Sequence, residues 1–563
     1  MEFRKAGLVL FALIVMVRIS YAETALFQQD TATVPKDWYL RDPQSDQMQG
    51  LSVEKAYSTV LKGKPSKTVL VAVIDSGIDI EHEDLKGIIW VNKGEIPGNG
   101  IDDDKNGYID DINGWNFIGG KSGDVNDDSN EVTREYKRLK TKFGSLEEGK
   151  ISKKDKVEYE LWKKVKLKYE RDSKFNADQY KQFNENYETY SGVLNTVTIF
   201  DSLLRARLNV SNITRATLDS IDDKNDTLAF AKNMLSKIFE SVDDISDVNA
   251  LISILRTDME YFEEASTHFK VTIDYTYNLD YDSRKIVGDD YNNVTEKYYG
   301  NNHVQGGRPM HGTHVAGVIG ANRTNNIGTM GIADNVKIMA IRVVPPSGDE
   351  RDKDIANAIY YAVDNGAKII NMSFGKGFSP NKDVVDKATR YAESKGVLLV
   401  HAAGNEADDN DLEDTHFPNR FYLNKKEAKN WIEVGASSWG ADTNFVASFS
   451  NYGRKSVDFF APGVQIYSPE PGNLYTDVDG TSFSSPVTAG VAALLMSYFP
   501  DLSAQQVKDI LRQSTRKFDS LKVTKPGTKD KVEFSKLSST GGLVNAYEAV
   551  RLASTKGKTV EKK

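Results

Sequence analysis

Apolar residues along the chain fall into two kinds of run. In the first kind, short and nearly continuous, β-branched residues dominate: Thr68-Val69-Leu70-Val71-Ala72-Val73-Ile74, then 336–343, 367–372, 397–401 and 431–434. Runs of this length without polar alternation predict strands buried on both faces of a parallel sheet. Between them apolar residues recur at helical spacing: Ile355, Ala358, Ile359 and Ala362, then Val384 to Ala392, and later Ala504–Gln513. Alternating strands and helices predict an α/β fold, a mostly parallel sheet with helices on both faces.

The pattern breaks between about 126 and 282, where Lys, Glu, Asp, Tyr and Asn dominate, glycine is rare and proline is absent. Val157, Leu161, Val165 and Leu167 recur near helical spacing, as do Leu204 and Leu208, and then Leu251, Ile254 and Leu255. This predicts three to five long helices with polar turns such as Asp222-Asp223-Lys224-Asn225-Asp226. The amino end carries Arg4 and Lys5, an apolar run over 8–17, and Ser20-Tyr21-Ala22. That order predicts a secretory signal cleaved before Glu23, because the run is too short for a membrane span and Arg18 interrupts it. The divisions expected are a signal peptide at 1–22, an N-terminal arm at 23–65 and a first α/β part at 66–125. A helical insertion at 126–283, a second α/β part at 284–550 and a mobile basic tail at 551–563 follow. The arm holds Trp38-Tyr39-Leu40 and a helical stretch near 53–61, and is expected to pack on the core.

Three segments carry candidate chemistry. Asp75-Ser76-Gly77 ends the first run, placing a carboxylate at the C-terminal edge of a strand, where open parallel sheets build their sites. His311-Gly312-Thr313-His314-Val315-Ala316-Gly317 reads as a small-residue helix with a histidine at its start. Gly480-Thr481-Ser482-Phe483-Ser484-Ser485-Pro486 puts a hydroxyl at a helix N-terminus, where unpaired N–H groups favour negative charge. A serine nucleophile needs a base, and the base an orienting acid. Each residue also has an ordinary reading: Asp75 as a strand-end cap, either histidine as a packed helical residue, Ser482 as a helix cap.

Together and in this order, the three segments resemble the signatures of the subtilisin-like serine peptidases (subtilases), over 66–125 and 284–550. The resemblance implies an exported serine endopeptidase working through an acyl-enzyme, with Asp75 orienting His311, His311 as base, His314 structural and Ser482 as nucleophile. Ala402-Ala403-Gly404-Asn405-Glu406 resembles the oxyanion loop of the family, which implies Asn405 as the oxyanion donor. Asn371-Met372-Ser373-Phe374-Gly375 resembles the strand lining the substrate cleft, which implies Ser373, Phe374 and Gly375 as substrate-binding. Lys376 stands where compact relatives usually have a second glycine, so the primary pocket is expected to be narrower or to favour acidic groups. Asp75 and His311 lie 236 positions apart, far more than in compact relatives. The insertion is therefore expected near the rim of the cleft, where it restricts or docks substrate. The 23–65 segment is shorter than the inhibitory propeptide of many relatives.

The chemistry implied needs no cofactor, but structural calcium is expected. In Gly100-Ile101-Asp102-Asp103-Asp104-Lys105-Asn106-Gly107-Tyr108-Ile109-Asp110-Asp111, the alternate positions Asp102, Asp104 and Asn106, followed by Gly107, give the first half of an oxygen-rich calcium loop. Asp110 is a further candidate ligand; the closing glutamate is replaced by Asn113, and a solvated acidic turn is the other reading. His82-Glu83-Asp84-Leu85 resembles a family segment whose aspartate binds calcium, with Asn326 in a partner loop. His82, His268, His303, His401 and His416 are scattered without metal-ligand spacing. A net charge of −9 argues against general nucleic-acid affinity, and polypeptides are the expected partners. The chain has no cysteine, so an exported form would rely on its core and on ions rather than disulfides. Periplasmic and extracellular destinations both fit.

Overall fold

The structure, a computed structural model, describes residues 34–221, 226–241, 245–412 and 416–560. The expected signal peptide, the start of the arm, most of the 222–226 turn and the last three residues lie outside them. The chain forms two compact units, Leu167–Asp274 and Val34–Lys166 with Tyr275 onward.

The larger unit is built on a nine-stranded sheet. Its strands are β1 (Val69–Asp75), β2 (Gly114–Asn116), β3 (Val336–Arg342), β4 (Ile369–Met372), β5 (Leu398–Ala402), β6 (Trp431–Ser437), β7 (Phe459–Pro462), β8 (Arg516–Lys517) and β9 (Gly542–Leu543). The spatial order is β8-β9-β7-β6-β5-β4-β1-β3-β2, and every pairing is parallel except β8 with β9. The β-branched runs form the sheet centre because each strand is covered twice: Val69, Val71 and Val73 face one core cluster, Ala72 and Ile74 the other.

The main helices of this unit are α1 (Val53–Ser58), α2 (Glu131–Phe143), α6 (Met310–Gly320), α7 (Asp352–Asp364), α8 (Lys382–Ser394), α9 (Thr481–Tyr498), α10 (Ala504–Gln513) and α11 (Ala546–Val560). Helices α6, α9, α10 and α11 pack on one face with the arm residues Trp38, Tyr39, Leu40, Leu51 and Val53; α7 and α8 cover the other. Trp38 is fully buried and its indole N–H reaches the carbonyls of Val464 and Gln465, both at 3.1 Å. Helix α11 runs through the stretch expected to be a mobile tail from 551. Ala549, Val550 and Ala553 are buried along its apolar face and hold it to the core.

The smaller unit has its own core. Tyr190, Val193, Val197 and Leu204 of α3 (Lys156–Leu208) meet Leu235 and Ile238 of α4 (Asp226–Ser241) and Leu251 and Leu255 of α5 (Val248–Val271). The long helices are those the sequence predicts, but early in α3 the buried face differs. Trp162 and Val165 are inside, while Val157 and Leu167 are 84% and 72% exposed, since at about 100° per residue each lies more than a quarter turn from the midpoint of Trp162 and Val165. The unit is also narrower than 126–283. Helix α2 belongs with the sheet because its first turn buries charged groups that find partners there, and Thr133 Oγ1 bonds the carbonyl of Thr276 at 2.7 Å. Among the described residues no helix is long and apolar enough to cross a membrane.

Candidate active site

Asp75 closes β1 at the carboxyl edge of the sheet and is 1% exposed. Its Oδ1 accepts the backbone N–H of Ser76 at 2.7 Å and lies 2.8 Å from Nδ1 of His311, the second residue of α6. Close packing of α6 on the Asp75-Ser76-Gly77 turn makes this contact. A Cβ on Gly312 would sit 2.2 Å from the carbonyl oxygen of Gly77, so any side chain there would drive the helix and His311 off the carboxylate. Burial opposes protonation of His311, but the charge and hydrogen bond of Asp75 outweigh it and hold the imidazole above its ordinary value. With Nδ1 facing the carboxylate, Nε2 is the free acceptor of the neutral ring. His314, one turn on, is buried with Nε2 2.9 Å from the carbonyl of Ile466; burial above all pushes it down to about 3, so it stays neutral.

Ser482 is the second residue of α9, which starts after Gly480 at φ 153°. Its hydroxyl donates to the carbonyl of Ser373 at 3.1 Å rather than to His311. The ring of Phe483, next along, packs on His311 at 5.4 Å and on His314 at 4.7 Å. The Ser482 hydroxyl makes no hydrogen bond to His311 Nε2 here, and such bonds are commonly made only once substrate arrives. Pro486 lies inside α9 and has no N–H for the carbonyl of Ser482; that carbonyl instead accepts Ser373 Oγ at 2.6 Å. Ser373 Oγ is held in turn by Asn371 Nδ2 at 2.9 Å, and Asn371 Oδ1 takes the hydroxyl of Ser485 at 2.8 Å. The proline in the motif thus ties the backbone of Ser482 to the 371–375 segment. Asn405 accepts both the backbone N–H and the hydroxyl of Thr481 on its Oδ1, each at 2.9 Å, which leaves its amide N–H groups to donate elsewhere. Together with first-turn N–H groups of α9, it can stabilise a developing oxyanion.

Ser373 and Phe374 are buried and Gly375 is exposed. All three line a cavity of about 450 Å³ shared with Asp75, His311 and the 344–350 segment. Lys376 does not face the pocket as the sequence suggested. Its side chain is fully buried, with Nζ 2.7 Å from Glu131 and 2.8 Å from Asp352, because two buried carboxylates draw it beneath the strand. The pocket beside Gly375 is bounded instead by His416: a Cβ on Gly375 would meet its Cε1 at 2.4 Å. His401 and His416, read from sequence as scattered, come together with Glu433, with ligand-type atoms within 4.8 Å of one another. His401 and Glu433 are register partners in β5 and β6, 2.9 Å apart, a pairing that only strand order reveals. Burial and the neighbouring His401 hold His416 below its ordinary value.

The expected calcium ligands divide. Asp104 converges with Glu95 and Asp111, carboxylates of a kind calcium takes, again within 4.8 Å. Burial above all pushes Asp111 up to about 6. Asp102 and Asp110 turn away: Asp102 accepts backbone N–H groups of Asn106 and Gly107, and Asp110 those of Gly98, Asn99 and Gly100. The amide of Asn106 bonds Asp104 and Asp111. The alternate-position pattern assumed one centre, whereas the chain reverses at Asp110, φ 53°, and brings Glu95 in from outside the motif. Asp84 is buried and bonded by Asn325 Nδ2 at 2.7 Å and the Thr329 N–H at 3.0 Å; Asn325, not Asn326, reaches it.

A family model described as the subtilase family matches residues 66–541. Subtilisin DY of Bacillus licheniformis is 40% identical over 203 residues, covering 36% of this chain and 68% of its own. A thermophilic serine proteinase of Bacillus sp. (strain AK1) is 39% identical over 229 residues, covering 40% of this chain and only 50% of that protein. The solved structure of a cold-adapted subtilisin-like serine proteinase matches at 30% identity and a TM-score of 0.33, covering 42% of this chain and 74% of that one.

Proposed function

The chain belongs to the subtilase family, and from that premise we propose that it is an exported serine endopeptidase whose triad is Asp75, His311 and Ser482. The observation that carries the reading is the 2.8 Å contact of the buried Asp75 carboxylate with His311 Nδ1, beside a serine at the start of α9. His311 Nε2 takes the proton as Ser482 Oγ attacks the scissile carbonyl, and returns it to the leaving amine; water then releases the acyl group by the same route. Asn405 donates to the oxyanion. Ser373-Phe374-Gly375 pairs with the extended substrate, exposed Gly375 allowing close approach. A polypeptide is therefore the substrate class, and the chemistry calls on no cofactor.

Export to the periplasm or the extracellular space is supported by the basic, apolar and small-residue order of residues 4–22. A structural calcium ion would be held by Asp104 with Glu95 and Asp111. The helical unit interrupts the chain between acid and base, and its role is to gate or dock substrate rather than to supply chemistry. The test is labelling with a serine-directed phosphonate and hydrolysis of a peptide substrate, with Ser482→Ala as control. Labelling and cleavage that vanish together in the variant support the reading. Failure of the intact mature protein to do either would favour a binding role for the same groove.

A further inference from the structure

Away from Asp75, His311 and Ser482, two imidazoles and a carboxylate meet at one point of the sheet. His401 of β5 and Glu433 of β6 are register partners on adjacent strands, and His416 reaches them from the segment that joins those strands. His401 Nδ1 lies 2.9 Å from Glu433 Oε1, and His416 Nε2 lies 3.9 Å from the same oxygen. One ligand-type atom from each residue falls within 4.8 Å of the other two. The Ala402 carbonyl, 2.9 Å from His416 Nε2, adds a further oxygen. Four ligands held tetrahedrally at zinc's bond lengths of about 2.0–2.2 Å stand roughly 3.3 Å apart. The observed spacings bracket that value, so small side-chain rotations close the set on an ion.

The surroundings fix these ligands. Glu433 Oε2 accepts the indole N–H of Trp431 at 2.6 Å, which orients the carboxylate and leaves Oε1 to the imidazoles. His401 is fully buried and Glu433 is 3% exposed, while the His416 side chain, 12% exposed, supplies the way in. His401 Nδ1 donates to Glu433 and His416 Nε2 donates to the Ala402 carbonyl, so each neutral ring keeps its single proton on the inward nitrogen. When a metal binds, that proton moves to the ring's other nitrogen and the vacated lone pair goes to the ion; no net proton leaves. For His401 the receiving atom is Nε2, which is buried and has no hydrogen-bond partner among the described residues. Imidazole nitrogens suit zinc and its transition-metal neighbours, whereas calcium takes oxygens. That chemistry separates this set from the carboxylates Glu95, Asp104 and Asp111.

We propose that His401, His416 and Glu433 form a binding site for a divalent transition-metal ion of the zinc type, with water or the Ala402 carbonyl completing its coordination. The site adjoins the cleft. A Cβ on Gly375 would meet His416 Cε1 at 2.4 Å and one on Gly404 would meet it at 3.0 Å, so the ring is wedged between the cleft segment and the loop that carries Asn405. One ligand of the ion is therefore also a wall of the groove.

The experiment titrates Co²⁺, and then Zn²⁺, into the mature protein carrying Ser482→Ala, which prevents self-cleavage, in calcium-containing buffer that supplies the carboxylates of the 95–111 loop. One equivalent of Co²⁺ should give the visible absorption of a four-coordinate ion, and one equivalent of Zn²⁺ should displace it. In His416→Ala, which removes a partly exposed side chain, Zn²⁺ affinity should fall by about 100-fold or more, since losing even an outer-shell partner costs about 10–100-fold. His401→Asn should give the same loss through a second ligand. His311→Ala, which takes away the imidazole beside Asp75 as a rival ligand, should leave spectrum and affinity unchanged. Absence of the one-to-one Co²⁺ spectrum in the Ser482→Ala protein would overturn the site. So would a spectrum that survives in His416→Ala and His401→Asn, or one that vanishes in His311→Ala. None of these results bears on the peptidase reading, because binding is measured without turnover.

Discussion

At the scale of single residues, the site works by restricting what each polar atom can do. Asn405 has its oxygen fixed by Thr481, so its role is confined to donation. Asn405→Ala should lower kcat by about 10²–10³ with little change in KM, the known size of loss for an oxyanion donor of subtilisin. Steady-state kinetics on one peptide checks it, and a change confined to KM would contradict the assignment. Asp75 raises the pKa of His311, and the base must be neutral to act. The acid limb of kcat/KM should therefore fall above the ordinary histidine value of 6.5, activity rising as pH passes through it. In Asp75→Asn the limb should move to lower pH while kcat drops by about 10⁴, as in other Ser-His-Asp enzymes. An unmoved limb in the variant's pH profile would show that another group sets it. The three residues proposed as the triad stand in conspicuous motifs and could be picked out by eye. His401, His416 and Glu433 could not, because their neighbours are distant in sequence and no local pattern marks them.

At the scale of elements, the charged first turn of α2 is locked to the cleft strand. Lys376, Glu131 and Asp352 are all within 1% of full burial. Removing Lys376 leaves Asp352 buried without a cation, while Glu131 keeps Arg134, so Lys376→Met should cost about 3–5 kcal/mol in urea unfolding. Loss below about 1 kcal/mol would mean that water reaches the pair. The 95–111 loop makes a similar case with an ion in place of lysine. Chelation should lower the melting temperature of the mature protein, and Glu95→Gln/Asp111→Asn should abolish that chelator effect in a thermal scan. A melting temperature indifferent to chelator would leave these acids as a hydrogen-bonded turn. The sequence placed the central strands to within two or three residues, since burial on both faces leaves continuous apolar runs, but the short strands at 114–116, 516–517 and 542–543 carry no such run. It misassigned the face of early α3 and the side-chain direction of Lys376, which depend on what packs opposite.

At the scale of the molecule, the buried residues divide between two units. In one, core clusters cover both faces of a sheet that brings Asp75, Ser373 and Asn405 to a common edge; the other is a helical unit with its own buried set. A unit with a separate core can be altered without dismantling the sheet. Replacing 167–274 with a flexible linker should leave kcat/KM for a short peptide within about twofold, while cleavage of a folded protein changes by about tenfold or more. Equal changes for both substrates would rule out gating or docking.

The sequence alone determined the α/β class and the family, because burial writes itself into strand composition and the family's residue types stand in small motifs; the same motifs single out the three residues proposed as the triad. Tertiary structure decided the rest. It turned Lys376 away from the pocket and put His416 beside it, and assembled an acid cluster from Glu95, Asp104 and Asp111. Those outcomes follow from which groups meet across the sheet's edge, and the energies of charge and hydrogen bonding depend on distance in space, not along the chain.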